Sequence, residues 1–132
     1  MPKRYSPADP REWVNRARSD LLMAKSRTKG IYLEDLCFHA QQAAEKAIKA
    51  VLIKHALKFP YVHDVGELLT LIENAGLKIP GLVKQAGKLT RFAVFTRYPG
   101  IAEPISEDEY VESLTIAAEV IRWAESRLKA RQ

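Results

Sequence analysis

At 132 residues, 47% apolar and 28% charged, the chain has the size and composition of one soluble globular domain, which excludes a disordered tail. Its net charge of +5, from 21 Lys and Arg against 16 Asp and Glu, suits a partner carrying phosphate or an acidic surface without demanding one. No apolar run approaches the roughly 18 residues of a membrane helix, and MPKRYSPADPREW lacks the apolar centre of a signal peptide. A lone Cys37 can form no internal disulfide, so the expected compartment is the cytoplasm.

The first element announces itself at Asp9-Pro10-Arg11-Glu12. Asp9 can accept from free N–H groups, Pro10 suits the first helical position, and Glu12 is placed to complete a reciprocal cap. Trp13, Ala17, Leu21 and Ala24 then recur at helical spacing until Gly30, with Asp20 set beside this apolar line. A second helix is expected over residues 32–57. Leu36, Ala40, Ala43, Ala47 and Val51 form one line along it, and Cys37, Ala44, Ile48 and Leu52 the next. So wide a face of small residues predicts a central helix that neighbours approach closely, with Pro60 beyond its end.

Asp64 and Glu67 predict another capping box, followed by Leu68, Leu69, Leu71 and Ile72, with Asn74 and Gly76 as stop signals. A fourth helix is expected after Pro80, carrying Leu82, Val83, Ala86, Leu89, Phe92 and Ala93. TRYPGIAEPIS reads as a loop, and Ser106 with Glu109 caps a last helix lined by Tyr110, Leu114, Ala117, Ala118, Ile121 and Leu128. No segment carries the alternation of a strand. The expected fold is all-α, an antiparallel bundle of four to five helices forming a single domain over residues 1–132.

The residues that could carry chemistry concentrate in CFHAQQAAEKAIKAVLIKH, residues 37–55. Here His39, Gln42, Lys46 and Lys49 share one helix face, and Gln41, Glu45 and Lys49 the adjacent one. Such a stripe is either a solvated face or the wall of a site. As a surface ion pair, Glu45 and Lys49 would contribute only about 0.3–0.5 kcal/mol. His63 could do acid–base work near neutrality or simply occupy a turn, and His55 is placed to favour the negative end of its helix dipole. Arg97 offers a planar fork suited to phosphate and Tyr98 a flat face for a base. Alternatively, Arg97 pairs with Glu45 or Asp20. The basic residues fall into two clusters, at Arg16, Arg18, Lys25, Arg27 and Lys29, and at Lys84, Lys88, Arg91 and Arg97. Neither a nucleotide-binding glycine loop, a zinc-ligand spacing nor a nucleophile elbow occurs, so no cofactor or metal is expected.

Taken in order, WVNRARSDLLMAK, CFHAQQAAEKAIKAVLIKH, VHDVGELL and TRYPG resemble the HEPN domain (higher eukaryotes and prokaryotes nucleotide-binding), in its small stand-alone prokaryotic branch. The resemblance covers nearly the whole chain. It implies a dimerising bundle of four or five helices, a minimal nucleotidyltransferase partner and, in many pairs, a toxin–antitoxin module. Several branches are metal-independent ribonucleases whose motif is an arginine, four to six residues, then a histidine. That motif is absent here, as is its adjacent tyrosine. The expected function is therefore nucleotide or RNA binding, through Gln42, Glu45, Lys49, His63, Arg97 and Tyr98, in a homodimer with no membrane attachment. Two alternatives are a ribonuclease whose centre uses His63, Arg97 and Glu45, and an interaction module with no ligand of its own.

Overall fold

The structure is a computed structural model that describes residues 1–94, 99–100 and 104–130. Two candidate residues, Arg97 and Tyr98, lie outside the described residues. All regular structure among the described residues is helical: α1 (Pro10–Lys25), α2 (Leu33–Lys54), α3 (Val65–Asn74), α4 (Gly81–Lys84), the 3-10 helix η1 (Gln85–Thr90), α5 (Arg91–Val94) and α6 (Glu107–Lys129). None of these helices is long and apolar enough to cross a membrane.

The caps form where the sequence signals them, with differences in their second halves. Asp9 Oδ1 accepts from the Arg11 N–H at 2.9 Å, but Glu12 closes no reciprocal box. Instead, Oε1 of Glu12 accepts from the Tyr5 N–H at 2.9 Å, while the Asp9 N–H is already committed to the Ser6 carbonyl at 2.8 Å. Asp64 caps α3 by accepting from the Glu67 N–H at 3.1 Å. Ser106 and Glu109 make the full reciprocal box on α6. At its other end, α1 stops at Lys25 rather than Gly30, which lies at φ +93° in the turn before α2.

The predicted fourth helix is not continuous. It divides into α4, η1 and α5, with the 3-10 stretch in the middle. Gly87 within η1 lies against Gly66 at the start of α3, where a Cβ on Gly87 would stand 3.7 Å from the Gly66 Cα. The Thr90 hydroxyl accepts from the otherwise free Val65 N–H at 3.0 Å. Docking on α3 thus shapes this segment more strongly than its own helical spacing does.

Helix α2 is the centre of the bundle, packing against α1, α3, η1, α5 and α6. Ala40, Ala43, Ala44, Ala47 and Ala50 are fully buried along it, with Ile48 and Leu52 among the largest enclosed side chains. Helix α1 runs antiparallel to α2, since Asp20 meets His39 and Lys46 while Trp13 lies over Lys49. It also runs antiparallel to α6, as Arg18 pairs with Glu125 and Arg27 with Glu107. The α3–α5 excursion returns the chain so that α6 begins beside the start of α2, where Glu34 accepts from the Ile105 N–H at 2.8 Å. The Tyr110 hydroxyl ties α6 back to α1 by donating to the Ala24 carbonyl at 2.7 Å.

Candidate functional site

Of the polar stripe on α2, the line of Gln41, Glu45 and Lys49 is not a solvated face, while His39, Gln42 and Lys46 beside it are half-buried. Gln41 is 0% exposed, Glu45 4% and Lys49 6%, in a helix whose flanking positions are core alanines. At intervals of four residues, these three side chains lie one above another along the helix. Buried polar groups of this kind are costly unless paired, and here each one is.

Glu45 is the hub. Its Oε2 accepts from Nζ of Lys49 at 2.8 Å, and its Oε1 accepts from Nε2 of Gln41 at 2.9 Å and lies 2.9 Å from Nδ1 of His63. Gln42 joins through Nε2, which donates to Oε1 of Gln41 at 2.6 Å. The Lys49 ammonium is also 5.9 Å from the Trp13 ring centroid and 5.7 Å from that of Phe59. The Glu45–Lys49 contact is therefore an enclosed ion pair with aromatic walls. Removing one partner of such a pair costs on the order of 3–5 kcal/mol, well above the contribution of a surface pair.

Burial by itself would push the Glu45 carboxyl up, but hydrogen bonds from Lys49, Gln41 and His63 hold it below its ordinary value. An ionised carboxylate only accepts hydrogen bonds, so Nδ1 of His63 carries the proton facing Glu45. In the neutral ring, the lone pair then resides on Nε2. The His63 side chain is 57% exposed, so this nitrogen belongs to a surface imidazole held by a buried carboxylate.

A second carboxylate, Asp20 beside the apolar line of α1, is likewise paired. It is 4% exposed, with Oδ1 3.2 Å from Nδ1 of His39 and Oδ2 2.5 Å from Nζ of Lys46. Both carboxylates considered as partners for Arg97 thus have lysine partners of their own. The third histidine, His55, differs. Burial first, then the charges of Arg127 and Lys54, lower its pKa, outweighing the helix-end attraction expected from its position. Its Nε2 is enclosed without a hydrogen-bond partner.

The structure therefore brings together Gln42, Glu45, Lys49 and His63 from the expected set. Gln41, Trp13 and Phe59 belong to the same cluster. Gln41 was legible from its four-residue spacing to Glu45, whereas Trp13 and Phe59 come from other parts of the chain and carried no local signal. Among the described residues, no group of three or more His, Cys, Asp and Glu side chains is placed to hold a metal ion. Cys37 is enclosed, and burial pushes its thiol up to about 11, which removes it as a nucleophile near neutrality.

Comparison with known proteins agrees with this architecture. The model of the HEPN domain matches residues 10–127. A Methanocaldococcus jannaschii protein named "Putative toxin MJ1304" is 31% identical over 93 residues, which are 66% of this chain and 61% of that protein. The crystal structure of ST0689, an archaeal HEPN homologue, superposes with a TM-score of 0.74 at 26% identity, covering 92% of this chain and 98% of that one. The crystal structure of TT1696 from Thermus thermophilus gives the same TM-score of 0.74 at 30% identity, covering 90% of this chain and 98% of that one.

Proposed function

The chain belongs to the HEPN domain family, and from that premise we propose that it binds nucleotide or RNA and pairs with a minimal nucleotidyltransferase in a toxin–antitoxin module. The toxin name of the M. jannaschii relative supports the module, and the family resemblance supports the partner and a homodimeric state. The observation that carries the ligand-binding reading is the surface imidazole of His63 on the buried carboxylate of Glu45. A ring held in one tautomer presents Nε2 outward as an acceptor, or as a donor to phosphate once protonated. In this reading Gln41 and Lys49 position Glu45, and Glu45 positions His63. Gln42 lines the same face, and Arg97 and Tyr98 supply the phosphate fork and the stacking surface.

The test is a titration of the protein with ATP, GTP and a short single-stranded RNA at two salt concentrations, following the ring resonances of His63. A saturable shift that weakens with salt supports the reading, and a flat response to all three ligands eliminates it. The same dyad favours one second reading, a ribonuclease with a non-standard centre in which His63 acts as the general base. Cleavage of RNA by the purified protein, abolished in His63→Ala with helicity retained, would establish that activity. Intact RNA after prolonged incubation would rule it out.

A further inference from the structure

We infer that the cavity beneath the N-terminal arm is a second anion site, built for a phosphate group and separate from the His63 site. Residues 3–8 are not a loose tail. The Asn15 side chain donates to the Lys3 carbonyl at 2.8 Å, the Tyr5 N–H to Glu12 at 2.9 Å, and the Trp13 indole to the Pro7 carbonyl at 2.7 Å. The Tyr5 ring is contacted by two cations, with Arg11 4.1 Å and Lys3 5.5 Å from its centroid. The arm is thus pinned along the outer face of α1, and a cavity of about 240 Å³ opens between them, lined by residues 1–4 of the arm and by Glu12, Asn15, Arg16 and Ser19 of α1.

The charge in this cavity does not cancel. Its lining side chains include three cations and one carboxylate, and that carboxylate is already engaged at both oxygens, by the Tyr5 N–H and by Nε of one of the three, Arg16, at 2.8 Å. Those same bonds hold Glu12 below its ordinary value, so it stays ionised and committed. Arg16 bonds Glu12 through Nε, and its terminal nitrogens have no hydrogen-bond partner among the described residues. Among the described residues neither Lys3 nor Arg4 stands within ion-pair distance of a carboxylate, although the Arg4 charge also acts on Glu12 and the Lys3 ammonium lies 5.5 Å from the Tyr5 ring centroid. Two guanidinium groups, an ammonium and the Ser19 hydroxyl exceed what the two oxygens of a carboxylate can accept. A phosphate has the oxygens to meet them.

The phosphate could be a diester in an RNA strand or a small phosphorylated ligand, and the chemistry of the cavity is common to both. Its position has a consequence for the first site. Trp13 holds the arm through Pro7 and also flanks Lys49, so one side chain separates the arm from the Glu45–His63 cluster.

The experiment titrates the full chain separately with inorganic phosphate and a short single-stranded RNA, following the backbone amides of Asn15, Arg16 and Ser19. Arg4→Ala and Lys3→Ala are run in parallel. Saturable shifts with RNA, together with a salt slope that falls by about 0.7 for each lost phosphate contact in the variants, identify a strand site. Shifts with inorganic phosphate that disappear in Arg4→Ala, with no response to RNA, identify a small-ligand site. A flat response to both probes, or shifts unchanged in the Lys3→Ala/Arg4→Ala double variant, overturns the inference. Because Lys3 and Arg4 side chains make no hydrogen bond that holds the arm to α1, circular dichroism should show unchanged helicity. Repeating the titration in His63→Ala separates the two sites: the arm response persists there whether or not His63 binds anything.

Discussion

Nδ1 of His63 stands 2.9 Å from Oε1 of Glu45, yet the carboxylate side chain is 5% exposed and the imidazole 57%. The bond therefore joins the interior of the bundle to its surface. Whatever fixes Glu45 also fixes the orientation of His63, so the buried pair can be tested through both stability and ligand response.

Lys49→Met should destabilise the protein by about 3–5 kcal/mol, because it leaves the Glu45 carboxylate enclosed without its cation. Combining it with Glu45→Leu should recover most of that loss by replacing the ion pair with apolar contact. The recovered double variant should nevertheless lose the ligand-induced shift of His63. Urea denaturation of the two single variants and the double variant measures the coupling. Simple additivity would contradict an enclosed pair.

Acid should lower the stability of the protein in two stages. The folded pKa of His55 lies below its ordinary 6.5, so the folded state favours the neutral ring and the unfolded state takes up the proton first. Its contribution is complete above about pH 6.5 and declines as pH falls toward the folded value. Glu45 is likewise depressed, so its contribution is complete above about pH 4.5 and is lost below that. Thermal melts from pH 8 to 3 should show the first decline abolished in His55→Gln and the second reduced in Glu45→Gln. A first decline that persists unchanged in His55→Gln would assign it to another group.

Ala56→Gly should stabilise the fold by about 1 kcal/mol. Helix α2 ends in a Schellman turn, with the Leu57 N–H on the Leu52 carbonyl at 2.9 Å and the Ala56 N–H on the Ile53 carbonyl at 3.0 Å. This places Ala56 at φ 55°. Helix α3 ends in the same pattern, but there the left-handed residue is Gly76 at φ 88°. Gly76→Ala should accordingly lose a similar amount, and denaturant midpoints of the two variants should move in opposite directions.

Cys37 should resist alkylation in the native protein at pH 8. It is enclosed in the core, and burial pushes its thiol up to about 11. Modification by iodoacetamide should proceed only as fast as the protein opens, and rapid labelling of the folded chain would show the core around α2 to be accessible.

The local features of the fold were the legible ones. Asp9, Asp64 and Ser106 mark helix starts, Gly76 marks a stop, and the alanine-rich α2 is central, because caps and periodicity depend on residues within a few positions of one another. The break of the fourth segment into α4, η1 and α5 was not legible, since it arises where Gly87 meets Gly66 and Thr90 meets Val65. The stripe on α2 was visible as a pattern, but its burial was not. That depends on Trp13, which belongs to the preceding helix, and on Phe59 and His63, which lie past the end of α2.

The sequence by itself determined the all-α class, most helix starts and the family, because hydrophobic spacing, capping residues and motif order are written along the chain. Only the tertiary structure decided that Glu45 and Lys49 form an enclosed pair, that Asp20 belongs with His39 and Lys46, and that the arm closes a basic cavity over α1. The physical reason is the same in each case: desolvation depends on what packs against a side chain, and its neighbours across the bundle are set by the docking of helices rather than by spacing along one of them.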